Sequence, residues 1–163
     1  LYREFMGLVK EYDISPAGLK LEITESAVIM DVPKQAALIE KLQAEGFVVE
    51  MDDFGSGYSS LNTLKDIPVD ILKLDMKFME KSKNTKRSAD IVQMVVAMAD
   101  KLGMPVIAEG VETKEQADFL GRIGCDIIQG YYYAKPMSME EFEQLLNKYP
   151  YRDIVQKGIG NDI

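Results

Sequence analysis

Apolar positions along this chain switch repeatedly between a spacing near four and a spacing of two. Leu1, Phe5, Leu8, Val9 and Tyr12 recur at helical spacing, which predicts an amphipathic helix over the first dozen residues. Ser15-Pro16-Ala17-Gly18 breaks it. From Leu19 to Thr24 the pattern alternates, with Leu19, Leu21 and Ile23 on one side of a strand and Lys20, Glu22 and Thr24 on the other. Asp31 and Pro33 then cap and open a helix that carries Leu38, Ile39 and Leu42 and stops at Gly46. A strand follows over Phe47 to Asp52. A short helix is expected over Ser60 to Leu64, and a strand carrying Lys73 over Ile71 to Asp75. The longest helix runs from Thr85 to Leu102, with Ile91, Val95, Met98 and Leu102 as its core stripe, and Gly103 and Pro105 end it. Pro105 to Ala108 is a strand entering Glu109. Thr113 and Gln116 form a capping box for a helix ending near Gly124. Asp126 to Gln129 reads as a strand and Tyr131 to Ala134 as a further one. Ser138 and Glu141 form a second capping box, for a helix holding Phe142, Leu145 and Leu146. Strands alternating with helices across short connections predict an α/β fold with mainly parallel strands.

The chain has 163 residues, enough for one domain with a core of its own. We place that domain over 1–149 and read 150–163 as a polar tail. A net charge of −8 argues against binding long nucleic acid, although a bound divalent cation can still reverse the field locally. Cys125 is the only cysteine, so no internal disulfide forms and a cytoplasmic setting fits. Histidine is absent, which leaves carboxylates, lysine and amides as the chemical inventory. No apolar run reaches membrane-spanning length. Leu1 is not an initiator methionine and lies within an expected helix, so a longer parent protein is expected, with any membrane attachment in its upstream segments.

The candidate chemistry centres on Glu-Met-Asp-Asp-Phe-Gly-Ser-Gly-Tyr-Ser-Ser, residues 50–60. Two adjacent acids, Asp52 and Asp53, arrive at a strand exit, and Gly55 and Gly57 behind them allow backbone angles that other residues avoid. Neighbouring carboxylates repel unless cations or hydrogen bonds offset them. Other strand exits carry polar groups too: Glu22 and Glu25, Lys73 and Asp75, Glu109 and Glu112, then Gln129. In a parallel barrel all such ends open on one face, where catalytic residues gather. Oxygen donors without histidine or cysteine select hard ions, Mg2+ or Mn2+. Each member taken singly has a plainer reading. Asp52-Asp53 also suits a polar turn. Glu22 also suits an outward strand position, and Lys73 a simple pair with Asp75 or Asp52. Glu112 suits the positive end of a helix, and Gln129 a strand-end turn. Tyr131 to Tyr133 suit packing.

Taken together, five motifs resemble the EAL-domain family of cyclic-di-GMP phosphodiesterases. They are Leu21-Glu22-Ile23-Thr24-Glu25-Ser26, Asp52 through Leu61, Leu72-Lys73-Leu74-Asp75, Ala108 through Thr113, and Gly124-Cys125-Asp126 with Gln129-Gly130-Tyr131. The resemblance runs from about Gly18 to Leu146. It implies a modified TIM barrel that uses two divalent ions to open cyclic-di-GMP to a linear dinucleotide. It implies Glu22, Asp52, Asp53 and Glu109 as metal ligands, Lys73 to orient the attacking water, and Glu109 as ligand or general base. Gln129 would position water or ligand, Glu25 would brace the loop after Asp53, and Gly55, Ser56 and Glu112 count with them as substrate or loop residues. Ser56 stands where many relatives have threonine. The family's Glu-Ala-Leu motif is absent, as is the asparagine-bearing strand before Leu1. The expectation is therefore a partial TIM-like (βα) barrel lacking its first two strands, from a larger signalling protein with an upstream sensory or cyclase-type domain. Such an open barrel favours a homodimer, and on its own should be weak or inactive. Rival readings are a non-catalytic cyclic-di-GMP receptor, a proton-abstracting barrel enzyme using Lys73, and a scaffold with surface ion pairs.

Overall fold

A computed structural model of the chain describes residues 2–55, 61–76 and 85–148. Ser56, Gly57, the expected helix start at Ser60 and the tail from 150 lie outside the described residues. The elements in chain order are α1 (Tyr2–Glu11), a 3-10 turn (Pro16–Gly18), β1 (Lys20–Thr24), α2 (Glu25–Met30), α3 (Val32–Ala44), β2 (Val48–Phe54) and α4 (Leu61–Asp66). Then come β3 (Ile71–Asp75), α5 (Thr85–Lys101), β4 (Val106–Glu109), α6 (Lys114–Arg122), β5 (Ile127–Ile128) and α7 (Met139–Lys148). Caps lie where the side chains predict them. The Lys34 N–H donates to Asp31 at 3.3 Å, and Thr113 and Gln116 exchange both bonds of a capping box. Ser138 and Glu141 do the same.

The five strands form one parallel sheet in the order β1-β2-β3-β4-β5. Each strand pairs with its sequence neighbour, as helical crossovers of short reach require. Register decides which side chains share a face. Leu21, Ile23, Val49, Met51, Leu72, Leu74 and Ala108 fall on one side and join a single apolar cluster with Val28, Ile39, Leu42, Val92, Val96, Ala99 and Leu120 from the helices. The opposite face carries Lys20, Glu22, Glu50, Asp52, Lys73, Asp75 and Glu109. One face is thus a hydrophobic layer under helices and the other a row of charges. β1 and β5 are the outer strands among the described residues.

Four expectations are corrected. The core stripe of α5 is turned by one residue: Val92, Val96 and Ala99 are buried, whereas Ile91 is 37% exposed and Leu102 56%. Val95 and Met98 pack only partly. Apolar residues fill almost every position from 91 to 99, so two adjacent stripes compete. Docking selects the smaller side chains, which let the helix sit close on the sheet. Tyr131 to Ala134 is a turn and not a strand. The Tyr133 and Ala134 N–H groups both donate to the Gly130 carbonyl, at 3.1 and 3.2 Å, and this local bonding overrides the β preference of tyrosine. A short helix, α2, follows β1 where none was expected. Finally, β2 runs on past Asp52 to Phe54.

Leu72 lies at the centre of the sheet with no exposure, whereas Met30 is almost free. Leu72→Ala should lower stability by about 3 kcal/mol, from lost transfer energy plus the cavity left behind. Met30→Ala should change it by less than about 0.5 kcal/mol. Urea unfolding of the two variants checks both values.

Candidate active site

β2 does not simply deliver Asp52 and Asp53 to a loop; it bulges at them. Met51 pairs with Leu72 and Phe54 with Leu74, so Asp52 and Asp53 together stand opposite the single residue Lys73. A regular strand would send two successive side chains to opposite faces. The bulge breaks that rule by inserting one residue, and Asp53 takes a left-handed backbone angle (φ 57°) to do so. Such an angle is uncommon for a residue with a Cβ and marks a place where the surroundings enforce it. The Asp53 N–H donates back to Asp52 Oδ1 at 2.9 Å, which holds that carboxylate in place. Gly55 follows with φ 94°, the left-handed freedom expected of it.

Lys73 is the centre of the charged face. Its ammonium contacts Glu22 Oε1 at 2.6 Å, Glu109 Oε1 at 3.0 Å and Asp52 Oδ1 at 3.2 Å. One atom therefore links β1, β2, β3 and β4. The residue is only 5% exposed. Burial pulls its pKa down, but the hydrogen bonds to Glu22, Glu109 and Asp52 outweigh that and hold it above the ordinary lysine value. Lys73 thus stays charged. Glu109 shifts the other way from most paired acids. Burial raises its pKa most, Lys73 lowers it in part, and the charges of Asp52 and Glu22 raise it further.

The same face holds a second charged pair that the sequence reading passed over. Lys20 Nζ lies 3.1 Å from Glu50 Oε1, and Glu50 is buried. Lys20 precedes Glu22 by two residues and Glu50 precedes Asp52 by two, so strand parity alone would have placed both on the face of the site. Glu25, the first residue of α2, is also buried, and neither of its carboxylate oxygens has a hydrogen-bond partner among the described residues. Such a group costs several kcal/mol unless something satisfies it; the loop it was expected to brace includes residues outside the described set.

Gln129 and Glu112 come together apart from Lys73. They line a groove of about 450 Å³ with Gly110, Tyr131 and Lys135. The Gln129 N–H donates to the Ala108 carbonyl at 2.8 Å, which sets Gln129 one strand over from Glu109. Glu112 has its backbone N–H bonded to Gln116 at the start of α6. Among the described residues, no three acidic side chains enclose a point ready for a metal ion; the carboxylates converge on the ammonium instead. Their chemistry, oxygen donors alone on one face, nevertheless suits a hard divalent cation.

A family model described as EAL domain matches residues 2–136. The chain belongs to the EAL domain family. The chain is 36% identical over 149 residues to the cyclic di-GMP phosphodiesterase NbdA of Pseudomonas aeruginosa, covering 91% of this chain and 19% of that protein. The chain thus spans about a fifth of the length of that relative. Among solved structures, the PaMucR phosphodiesterase in its c-di-GMP complex aligns with a TM-score of 0.77 at 37% identity, over 84% of this chain and 56% of the other. BlrP1 of Klebsiella pneumoniae, a manganese/cy-diGMP complex, aligns at 0.76 and 30% identity, over 83% and 34%. EAL domains are TIM-like barrels, so the parallel sheet described above is a barrel segment.

In the EAL site the raised pKa of Glu109 has a stability consequence with a definite sign. Its protonated form is favoured on folding, so the associated stability is present below the ordinary carboxylate pKa and lost as pH rises through the raised value. With divalent ions chelated, Glu109→Gln should therefore be more stable than the parent sequence near neutral pH. The gap should close below the carboxylate range. Thermal unfolding across pH in the presence of chelator measures this.

Proposed function

We propose that the protein carrying this chain hydrolyses one phosphodiester bond of cyclic-di-GMP to a linear dinucleotide, using Mg2+ or Mn2+. The single observation behind this reading is the convergence of Glu22, Asp52 and Glu109 on Lys73. The similarity to NbdA, a cyclic di-GMP phosphodiesterase, and to the c-di-GMP complexes of PaMucR and BlrP1 supports the choice of substrate, and the manganese in the BlrP1 complex supports the choice of ion. Glu22, Asp52, Asp53 and Glu109 would hold two ions, with the acids turning part of their bonding from Lys73 to the metal. Bound ions supply relief of phosphate charge and activation of water. Lys73, which its acidic partners hold protonated in the observed arrangement, orients the attacking water and adds positive charge beside the phosphate. Glu109 is a metal ligand or the general base that accepts the proton the water loses. Gln129 holds water or ligand at the edge of the groove, with Glu112 across from it. Glu25 braces the loop of Gly55 and Ser56.

The 163 residues alone should turn over weakly, since β1 and β5 are open edges among the described residues. The rest of the parent would supply the remaining barrel and a sensory or cyclase-type domain. No helix among the described residues is long and apolar enough to cross a membrane, and a cytoplasmic site of action is our reading. A homodimer is part of this proposal. The outer side of α5 exposes Ile91 and Met94, and Leu102 in the turn just beyond the helix is exposed as well.

The full-length protein should hydrolyse cyclic-di-GMP in Mg2+ or Mn2+ and lose activity with chelator. Glu109→Gln should reduce kcat by about 100-fold or more. Chromatography of the products decides; tight binding without turnover in either metal would establish the receptor reading instead. Met94→Glu should shift the protein from dimer to monomer in light scattering. An unchanged mass would remove α5 as the interface.

A further inference from the structure

The loop after β4 and the turn after β5 lie backbone against backbone. The Val111 N–H donates to the Gln129 carbonyl at 3.3 Å, and the Tyr132 N–H donates to the Val111 carbonyl at 3.0 Å. Gly130 sits between these two bonds. A Cβ placed on it would lie 2.1 Å from the Val111 carbonyl oxygen, 2.4 Å from its nitrogen and 2.7 Å from its carbonyl carbon. No rotamer change relieves such contacts, because every atom involved is main chain. Gly130 is not in the left-handed region that other glycines here occupy, so the demand is for room and not for an unusual angle. Val111 has nowhere to retreat: its side chain is fully buried on the other side.

The two segments laced together carry the polar groups of the site. Glu109 and Glu112 flank Val111, and Gln129 precedes Gly130. We propose that Gly130 is a positioning residue for the reaction. By presenting no side chain it lets the Val111 backbone close onto the β5 turn, and this fixes where Gln129 and Glu112 stand relative to Glu109 on the neighbouring strand. The proposal rests on the phosphodiesterase reading for its link to turnover, whereas the lacing itself is a property of the backbone. Displacing reacting groups by a fraction of an ångström to an ångström costs rate far more than it costs stability.

The test uses the full-length protein with Gly130→Ala, and Gly121→Ala as control. Gly121 lies in α6 with nothing within 4 Å of an added Cβ, so alanine there is harmless. Gly130→Ala should speed amide exchange in 109–113 and 129–134 together, leave β1 and β2 protected, and lower kcat by roughly 10- to 100-fold with KM changed less than about threefold. Val111→Ala, which loosens the buried side of the same contact, should give the same signature more mildly, and carries the test if Gly130→Ala fails to fold. Unchanged exchange with kcat within about twofold overturns the proposal. So does loss of protection spread evenly over β1 to β3, which would make Gly130 a residue of general stability. If the parent sequence itself shows no hydrolysis, the phosphodiesterase reading fails, and exchange alone decides whether the lacing exists.

Discussion

A buried ammonium must find negative partners, and that requirement organises this molecule. Lys73 sits in the middle strand of the sheet, out of water, with carboxylates from β1, β2 and β4 around it. An unpaired buried charge is costly enough that the chain cannot tolerate register slips that would strand it. Slipping β1, β2 or β4 by one residue would turn its acid to the helix side and bring a neighbour such as Leu21, Met51 or Ala108 toward Lys73. The apolar face and the charged face therefore enforce the same register from opposite sides. Hydrophobic burial supplies most of the stabilisation, and the ion cluster makes the arrangement unique.

The bulge in β2 shows how the chain gains a function that a regular strand denies it. Adjacent residues in a strand cannot serve one site, yet Asp52 and Asp53 both stand opposite Lys73. The cost is a left-handed aspartate, and the return is two acids presented from one strand. Asp52 is steadied by the N–H of its own neighbour, so the strained residue also helps hold its partner in place.

Much of this was readable from residue order. Alternation gave β1, apolar runs between turn signals gave β2 to β4, and the polar residues at strand exits named Glu22, Asp52, Lys73 and Glu109, which do converge. The bulge was not readable, because it is a relation between β2 and β3 and leaves no mark in β2 beyond the acids themselves. Nor was the face of α5 that docks: with apolar residues at nearly every position, periodicity alone could not choose between Ile91 and Val92. Tyr131 to Tyr133 misled for another reason. Their β preference is real, but the hydrogen bonds that Gly130 accepts decide the backbone first. The Lys20–Glu50 pair was legible by parity and simply unweighed.

Three carboxylates against one ammonium leave the cluster short of positive charge, and this shortage ties fold to function. Lys73 offsets enough of the repulsion to let the strands assemble; Glu109 still keeps a raised pKa, first because it is buried and then because Asp52 and Glu22 stand near it. A fully neutralised cluster would have no reason to draw in a cation, and a cluster with no lysine would push its own strands apart. The observed balance lies between these limits. Acids from separate strands are gathered around Lys73 yet outnumber it, so a divalent cation would gain from the charge that folding left unpaired once those acids turn part of their bonding from the ammonium toward it.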